Sequence, residues 1–199
     1  MALLFAKNNS LSAVTALPAS ISGGGLNLIS TQTASSSATI SFTSGIDSTY
    51  DEYIFKCINI HPATDGAKFQ VNFRDGDTAY DAVKTSTAFR AYHTEADDSG
   101  FGYLTGYDLA QSTGVQQIDK NSGNDNDQNF CAELKLFSPS STTLVKHYMV
   151  RSVANAASDA ETDMYVAGYC NVTVAIDAVQ FSFSSGNIDS GTIKLYGVT

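Results

Sequence analysis

The sequence predicts an all-β protein: an antiparallel β-sandwich or jelly roll of about nine strands, preceded by an extended N-terminal arm. Three observations predict it. Runs of alternating apolar and polar residues recur from about residue 36 to residue 198, separated by Gly, Asn, Asp, Ser and Pro clusters. Charged residues make up only 16% of the chain and Ser and Thr are plentiful, which suits strands and turns better than long amphipathic helices. No helical period separates the strands, so βαβ topologies are disfavoured. A length of 199 residues is ample for one core.

Residues 1–33 read as the arm and 34–199 as the sandwich domain. The first 33 residues hold no acid, one base (Lys7), Pro18 and the run Gly23-Gly24-Gly25. Their apolar residues come in bursts without a sustained period: Leu3, Leu4 and Phe5, then Val14 and Leu17, then Leu26, Leu28 and Ile29. These are the residues expected to anchor the arm on another surface.

Ala38, Ile40 and Phe42 alternate with Ser37, Thr39 and Ser41, a half-buried strand ended by Ser44-Gly45. Tyr50 to Ile60 is apolar on both faces and should lie centrally; Pro62 is expected to turn the chain. Phe69, Val71 and Phe73 alternate with Lys68, Gln70, Asn72 and Arg74, the cleanest strand pattern, which predicts a buried Phe73. Lys84 to His93 is a further strand. Residues 94–129 are ambiguous: Gly100, Gly102 and Gly106 should break regular structure, and Asn121 to Asn129 reads as a polar loop. Cys131 to Phe137 and Thr142 to Val153 are strands, the second with Leu144, Tyr148 and Val150 on one face. Ala154 to Asp163 reads as a loop, and Met164 to Val174 as a strand. Ile176 to Phe183 places Val179, Phe181 and Phe183 on one face. Asn187 to Ser190 should turn, and Gly191 to Val198 should close the chain with Ile193 and Leu195 inward.

The formal charge is −9, from 20 acids against 11 bases. That balance argues against nucleic acid and against an anionic membrane surface. No apolar run of about 18 residues exists, so no membrane insertion is expected. Met1 to Lys7 is too short for a signal-peptide apolar region and lacks a basic start, so a cytoplasmic product is expected. Cys57, Cys131 and Cys170 are odd in number and widely spaced, and read as small buried strand residues.

Catalytic signatures are missing. No His pair has zincin spacing, and Cys-x-x-Cys, G-x-S-x-G and P-loop motifs are all lacking. Most acids fall in turns, where turn chemistry accounts for them. The stretch Asp119 to Phe130 fails the EF-hand pattern, with Gly123 at the fifth position and Phe130 at the twelfth. The expectation is therefore no enzyme, no cofactor and no metal. One stretch has the composition of a ligand or interface loop: Tyr92, His93, Asp97, Asp98, Phe101, Tyr103 and Tyr107, whose rings could stack on sugars while the acids bond hydroxyls. The abundance of Tyr in sandwiches and at interfaces favours the other reading, that these rings pack in a core or between subunits.

Three segments carry a family resemblance: Leu11 to Ser30 (LSAVTALPASISGGGLNLIS), Ala38 to Pro62 (ATISFTSGIDSTYDEYIFKCINIHP) and Ser184 to Val198 (SSGNIDSGTIKLYGV). They resemble small virion proteins of tailed bacteriophages, marine ones especially, of tail-fibre-like or lectin-like type. The close of the chain is similar to the final strand of phage fibre and receptor-binding domains. The resemblance covers both ends and the first strands, while residues 94–165 match nothing. It carries over no catalytic residue. It implies a structural protein of the virion, assembled in the host cytoplasm, held by its arm to other virion proteins. A fibre or spike component that meets a host surface glycan is one implied role; a capsid decoration (cement) protein is the other. A homotrimer is expected, since fibres and cement proteins are often three-fold.

Overall fold

The structure, a computed structural model, describes residues 25–199. Among these residues there are twelve strands and no helix. The strands are β1 (Leu26–Ser37), β2 (Ile40–Phe42), β3 (Glu52–Pro62), β4 (Phe69–Arg74), β5 (Lys84–Thr94), β6 (Ser99–Tyr103), β7 (Gln116–Gln117), β8 (Phe130–Phe137), β9 (Lys146–Ala156), β10 (Ala160–Cys170), β11 (Ala178–Phe183) and β12 (Ile188–Val198). An eight-stranded sheet runs β1-β12-β3-β8-β9-β10-β5-β6 and a four-stranded sheet runs β2-β11-β4-β7. Every pairing is antiparallel.

Four pairs are nested: β1 with β12, β2 with β11, β3 with β8 and β4 with β7. That nesting is the winding of a jelly roll. Two hairpins interrupt it, β5–β6 between β4 and β7, and β9–β10 between β8 and β11. Both join the same sheet, which is why one sheet has eight strands and the other four.

The core lies between the sheets and is rich in phenylalanine. Phe181 of the smaller sheet meets Phe55 of the larger at 5.6 Å between centroids, and Phe69 at 5.8 Å with the rings nearly parallel. Phe69 reaches Phe130 at 4.9 Å, and Phe73 reaches Tyr148 at 4.9 Å. These are the alternating residues of β4 and β11. Val71 and Val179 are buried beside them, and Ile193 and Leu195 point inward from β12. Cys57 and Cys170 are buried as expected, but Cys131 is half-buried on the outward face of β8.

Several boundaries differ from the sequence reading. The expected arm gives up residues 26–33 to β1, which hydrogen-bonds along β12 from Leu26 to Ser37. Leu26 and Leu28 stand exposed on that strand, while Ile29 packs on the core after a register shift. Leu3, Leu4, Phe5, Val14 and Leu17 lie outside the described residues. Pro62 does not end β3 early: it is the last residue of the strand, paired with Ile188. Ala154 to Asp163 is not a loop but the end of β9, a three-residue turn and the start of β10. Its inward positions are Ala154, Ala156, Ala160 and Thr162, all buried, so small side chains carried the alternation and hid it. Leu144 lies in the turn before β9 and is 66% exposed.

Two lysines are buried at the edge of this core. Lys84 Nζ donates to Asn72 Oδ1 at 2.5 Å and to the Ala82 carbonyl at 2.6 Å. Lys146 Nζ donates to the Val172 carbonyl at 3.0 Å and the Val174 carbonyl at 2.5 Å. Neutral acceptors satisfy the donors without cancelling the charge. Burial therefore pulls the Lys84 ammonium down from 10.5 to about 8. Between these values the unfolded chain holds more protons than the native one, so this group makes stability rise with pH across that window. The penalty is fully present below about pH 8 and gone above 10.5. It amounts to about 3 kcal/mol. Urea unfolding of Lys84→Met at pH 7 and pH 10, beside the unaltered chain, should show that rise removed in the variant. Parallel pH profiles would mean that Lys84 is not the titrating group.

Candidate functional site

The aromatic stretch singled out from the sequence falls on the β5–β6 hairpin. Residues 95–98 close it: the Thr94 N–H donates to the Asp98 carbonyl at 2.7 Å and the Asp98 N–H to Thr94 Oγ1 at 3.0 Å. Asp97 takes a left-handed conformation (φ 64°), which a short polar side chain tolerates. Register then decides what each side chain does. Tyr92 lies opposite Gly100, and Ala91 lies opposite Phe101. A Cβ on Gly100 would come within 2.6 Å of the Tyr92 ring, so the glycine expected to break regular structure is instead what lets the ring lie across β6. The Arg90 guanidinium sits 4.7 Å above the same ring, and the Tyr92 hydroxyl donates to Asp98 Oδ2 at 3.3 Å.

Alternation sends the neighbours to the other face. Phe89 packs edge-on to Phe101 at 5.6 Å and stacks on Tyr165 of β10 at 5.0 Å. Phe101 is still 76% exposed. Tyr103 is exposed too, and its hydroxyl donates to Asp108 Oδ2 at 2.7 Å. That bond raises the Tyr103 hydroxyl and lowers the Asp108 carboxyl from their ordinary values.

Tyr107 does not join this group. It is 8% exposed, its hydroxyl donates to the Lys120 carbonyl at 3.3 Å, and Lys68 and Lys120 lie 4.9 and 4.8 Å from its ring. Of the seven residues expected together, six share the hairpin and one is a core residue elsewhere.

At the hairpin tip is an open cleft of about 380 Å³ lined by His93, Thr94, Glu95, Asp97, Asn155, Asp159 and Glu161. A second cleft of about 310 Å³ adjoins it, sharing Glu95, Asn155 and Asp159 and adding Asp125, Asp127 and Gln128. Thus, among the described residues, six carboxylates line the joined clefts, and no Lys or Arg does. Three segments bring them together: the β5–β6 turn, the β9–β10 turn and the loop before β8. Gln128 ties two of these. Its Nε2 donates to Asp159 Oδ1 at 3.2 Å and to the Ala156 carbonyl at 3.4 Å, and its Oε1 accepts from the Asp125 N–H at 3.3 Å. His93 Nε2 lies 3.2 Å from Asp97 Oδ1. Burial, then the charge of Asp163, pushes the Glu161 carboxyl up. Such a rim accepts hydrogen bonds from hydroxyls and amines and repels anions.

Asp97 and His93 were legible as site residues. Asn155, Asp159, Glu161 and Asp125 were not, because they reach the cleft only through the β9–β10 pairing. Asp119, the first residue of the stretch that fails the EF-hand pattern, is a buried carboxylate. It accepts from Ser122 Oγ at 2.7 Å and from the N–H groups of Ser122 at 2.9 Å and Phe69 at 3.4 Å; burial pushes its carboxyl up. Three further carboxylates, of Asp75, Asp77 and Asp81, approach within 4.8 Å of one another in the β4–β5 connection, with Asp77 and Asp81 exposed to solvent. Comparison with known proteins gave no family model matching the chain, and no matching curated protein or solved structure.

Proposed function

We propose that this chain is a non-catalytic structural protein on the surface of a tailed-phage virion, a fibre- or spike-type attachment component. Its N-terminal residues anchor it to other virion proteins, it works as a homotrimer, and the hairpin end meets a host surface glycan. The observation that carries the attachment reading is the acid-lined cleft at the hairpin tip. Carboxylates and amides that accept from sugar hydroxyls and amines suit a neutral or amine-bearing glycan. Uncharged sugars also avoid the repulsion that a chain of charge −9 exerts on acidic polysaccharides.

Antibody labelling of intact virions in electron micrographs tests the location, and binding of the purified chain to host cell-surface polysaccharide tests the ligand. Label at the tail or fibre tips is expected, with glycan binding weakened about tenfold or more in the double variant Asp97→Asn, Glu161→Gln. Label spread over the head would replace the attachment reading with capsid decoration. Glycan binding unchanged in the double variant would remove the cleft from the reading.

A further inference from the structure

We propose that the outward face of the eight-stranded sheet is the surface through which copies of this chain associate. The inference rests on the oligomeric reading above and names its interface. The inward face of this sheet is covered by the smaller sheet. Among the described residues nothing covers the outward face, yet it is not a polar surface. Leu28, Ile58, Phe101, Tyr103, Met149 and Val153 stand on it, each between 38% and 76% exposed. Apart from Leu26 on the same face, the remaining exposed large apolar side chains among the described residues are Val115, Leu144 and Val174, scattered on loops. Contiguous exposed apolar patches on a sheet mark association surfaces more often than chance.

Register makes the patch continuous. Ile54 lies opposite Lys135, Lys135 opposite Met149, and Met149 opposite Ala167. The next row runs Lys56, Glu133, Arg151, Tyr165, Phe89 and Tyr103, and in the row beyond it Cys131 lies opposite Val153, Val153 opposite Asp163, Asp163 opposite Ala91, and Ala91 opposite Phe101. The Phe89–Tyr165 stack lies in that middle row and joins the outer two, with Arg151 5.3 Å from the Tyr165 ring.

Charge identifies the occupant. The whole chain carries −9, so two copies repel across most orientations. This face is neutral. Its cations are Lys56, Lys135, Arg151 and Lys194, and its anions are Glu52, Glu133, Glu161 and Asp163. Most are already paired within the face: Lys56 with Glu133 at 3.4 Å, Lys135 with Glu133 and Glu52 at 3.6 Å each, and Arg151 with Asp163 at 2.9 Å. An apolar, internally neutralised face on an acidic chain admits another acidic copy without net repulsion. Its alternating signs let a rotated copy set cation against anion at the rim.

The test is sedimentation velocity of the full chain over about 1–50 μM, a range that spans typical micromolar association. Two variants place a charge on the face beside its opposite: Met149→Glu facing Lys135, and Val153→Lys facing Asp163, so the isolated fold keeps its balance. Leu144→Glu and Val174→Glu, on loops, are the controls. The expected result is an oligomer for the unaltered chain and both controls. The two face variants should sediment at 21.1 kDa, with association weakened about a hundredfold or more. Face variants that assemble normally would overturn this interface while leaving the oligomer intact. A monomeric unaltered chain would overturn the oligomer and the interface together. Should a face variant unfold, lysine cross-linking between isotope-mixed unaltered copies decides instead. Links at Lys56, Lys135 and Lys194 support the face, and links confined to Lys68 and Lys120 overturn it.

Discussion

Phe73→Ala is expected to lower the stability of the fold by about 3–5 kcal/mol, through lost transfer energy and the cavity left behind. For a chain of this size that is a fall in Tm of about 6–20 °C. Phe73 has no exposed surface, and its ring fills the gap between β4 and Tyr148 of the opposite sheet at 4.9 Å. Tyr148 cannot follow a shrinking neighbour. Its hydroxyl donates to Gln116 Oε1 at 3.0 Å, and a Cβ on Gly168 would fall within 2.6 Å of its ring, so the ring is held on its other side. The site collapses little, which places the cost high in the usual range. Leu144→Ala is the comparison. It truncates a loop side chain 66% exposed and should change stability by about 0.5 kcal/mol. Urea midpoints of the two variants, with unchanged slopes, read the difference directly. A Phe73 variant as mild as the Leu144 variant would mean that the outward face of β4 had been mistaken for the inward one, because a one-residue slip exchanges the faces.

The parts of the fold that were legible in the sequence are those where large apolar residues alternate. Phe69, Val71 and Phe73, then Val179, Phe181 and Phe183, then Ile193 and Leu195 all face the core as their spacing implies. Legibility failed where small residues do the same work. β10 begins with Ala160 and Thr162 inward, and β6 is Ser-Gly-Phe-Gly-Tyr, in which Gly100 makes room for the Tyr92 ring. Neither pattern differs from a turn when seen without its partner strand. The jelly-roll nesting was out of reach for a related reason: pairs such as Leu26 with Val198 join the ends of the chain, and no local period encodes them. The candidate site divides the same way. Its hairpin residues were visible because a tight hairpin keeps sequence neighbours together, whereas Asp125, Asn155 and Asp159 arrive from loops made adjacent by the whole sheet.

Gly191→Ala is expected to destabilise the fold by about 3 kcal/mol, and for a different reason. Asn187 to Ser190 reads as a turn, but β12 already begins at Ile188, fully buried and paired with Pro62. The strand keeps Ile188 and Ile193 both inward by shifting register twice, between Ile188 and Ser190 and again between Ser190 and Thr192. Gly191 sits inside the second shift with φ at 120°, a conformation costly for any residue with a Cβ. A methyl there would also lie 2.6 Å from the Asn59 carbonyl oxygen and 2.8 Å from the Ile60 Cα. Both are backbone atoms of a central strand and cannot swing aside as a side-chain end would. Asn59 is itself left-handed (φ 51°), so β3 and β12 bend together at this point. Relief requires the strands to part where β12 holds β1 on one side and β3 on the other, so the loss should spread to the β1 edge. Gly102→Ala, at a position with nothing within 4 Å of the added carbon, should stay within about 0.5 kcal/mol. Amide exchange can separate the two effects: Gly191→Ala should speed exchange in β1 and at the end of β3 while leaving the β9–β10 hairpin protected. Uniform loss of protection across both hairpins would instead mean that the bulge is no local hinge and that the eight-stranded sheet opens as one unit.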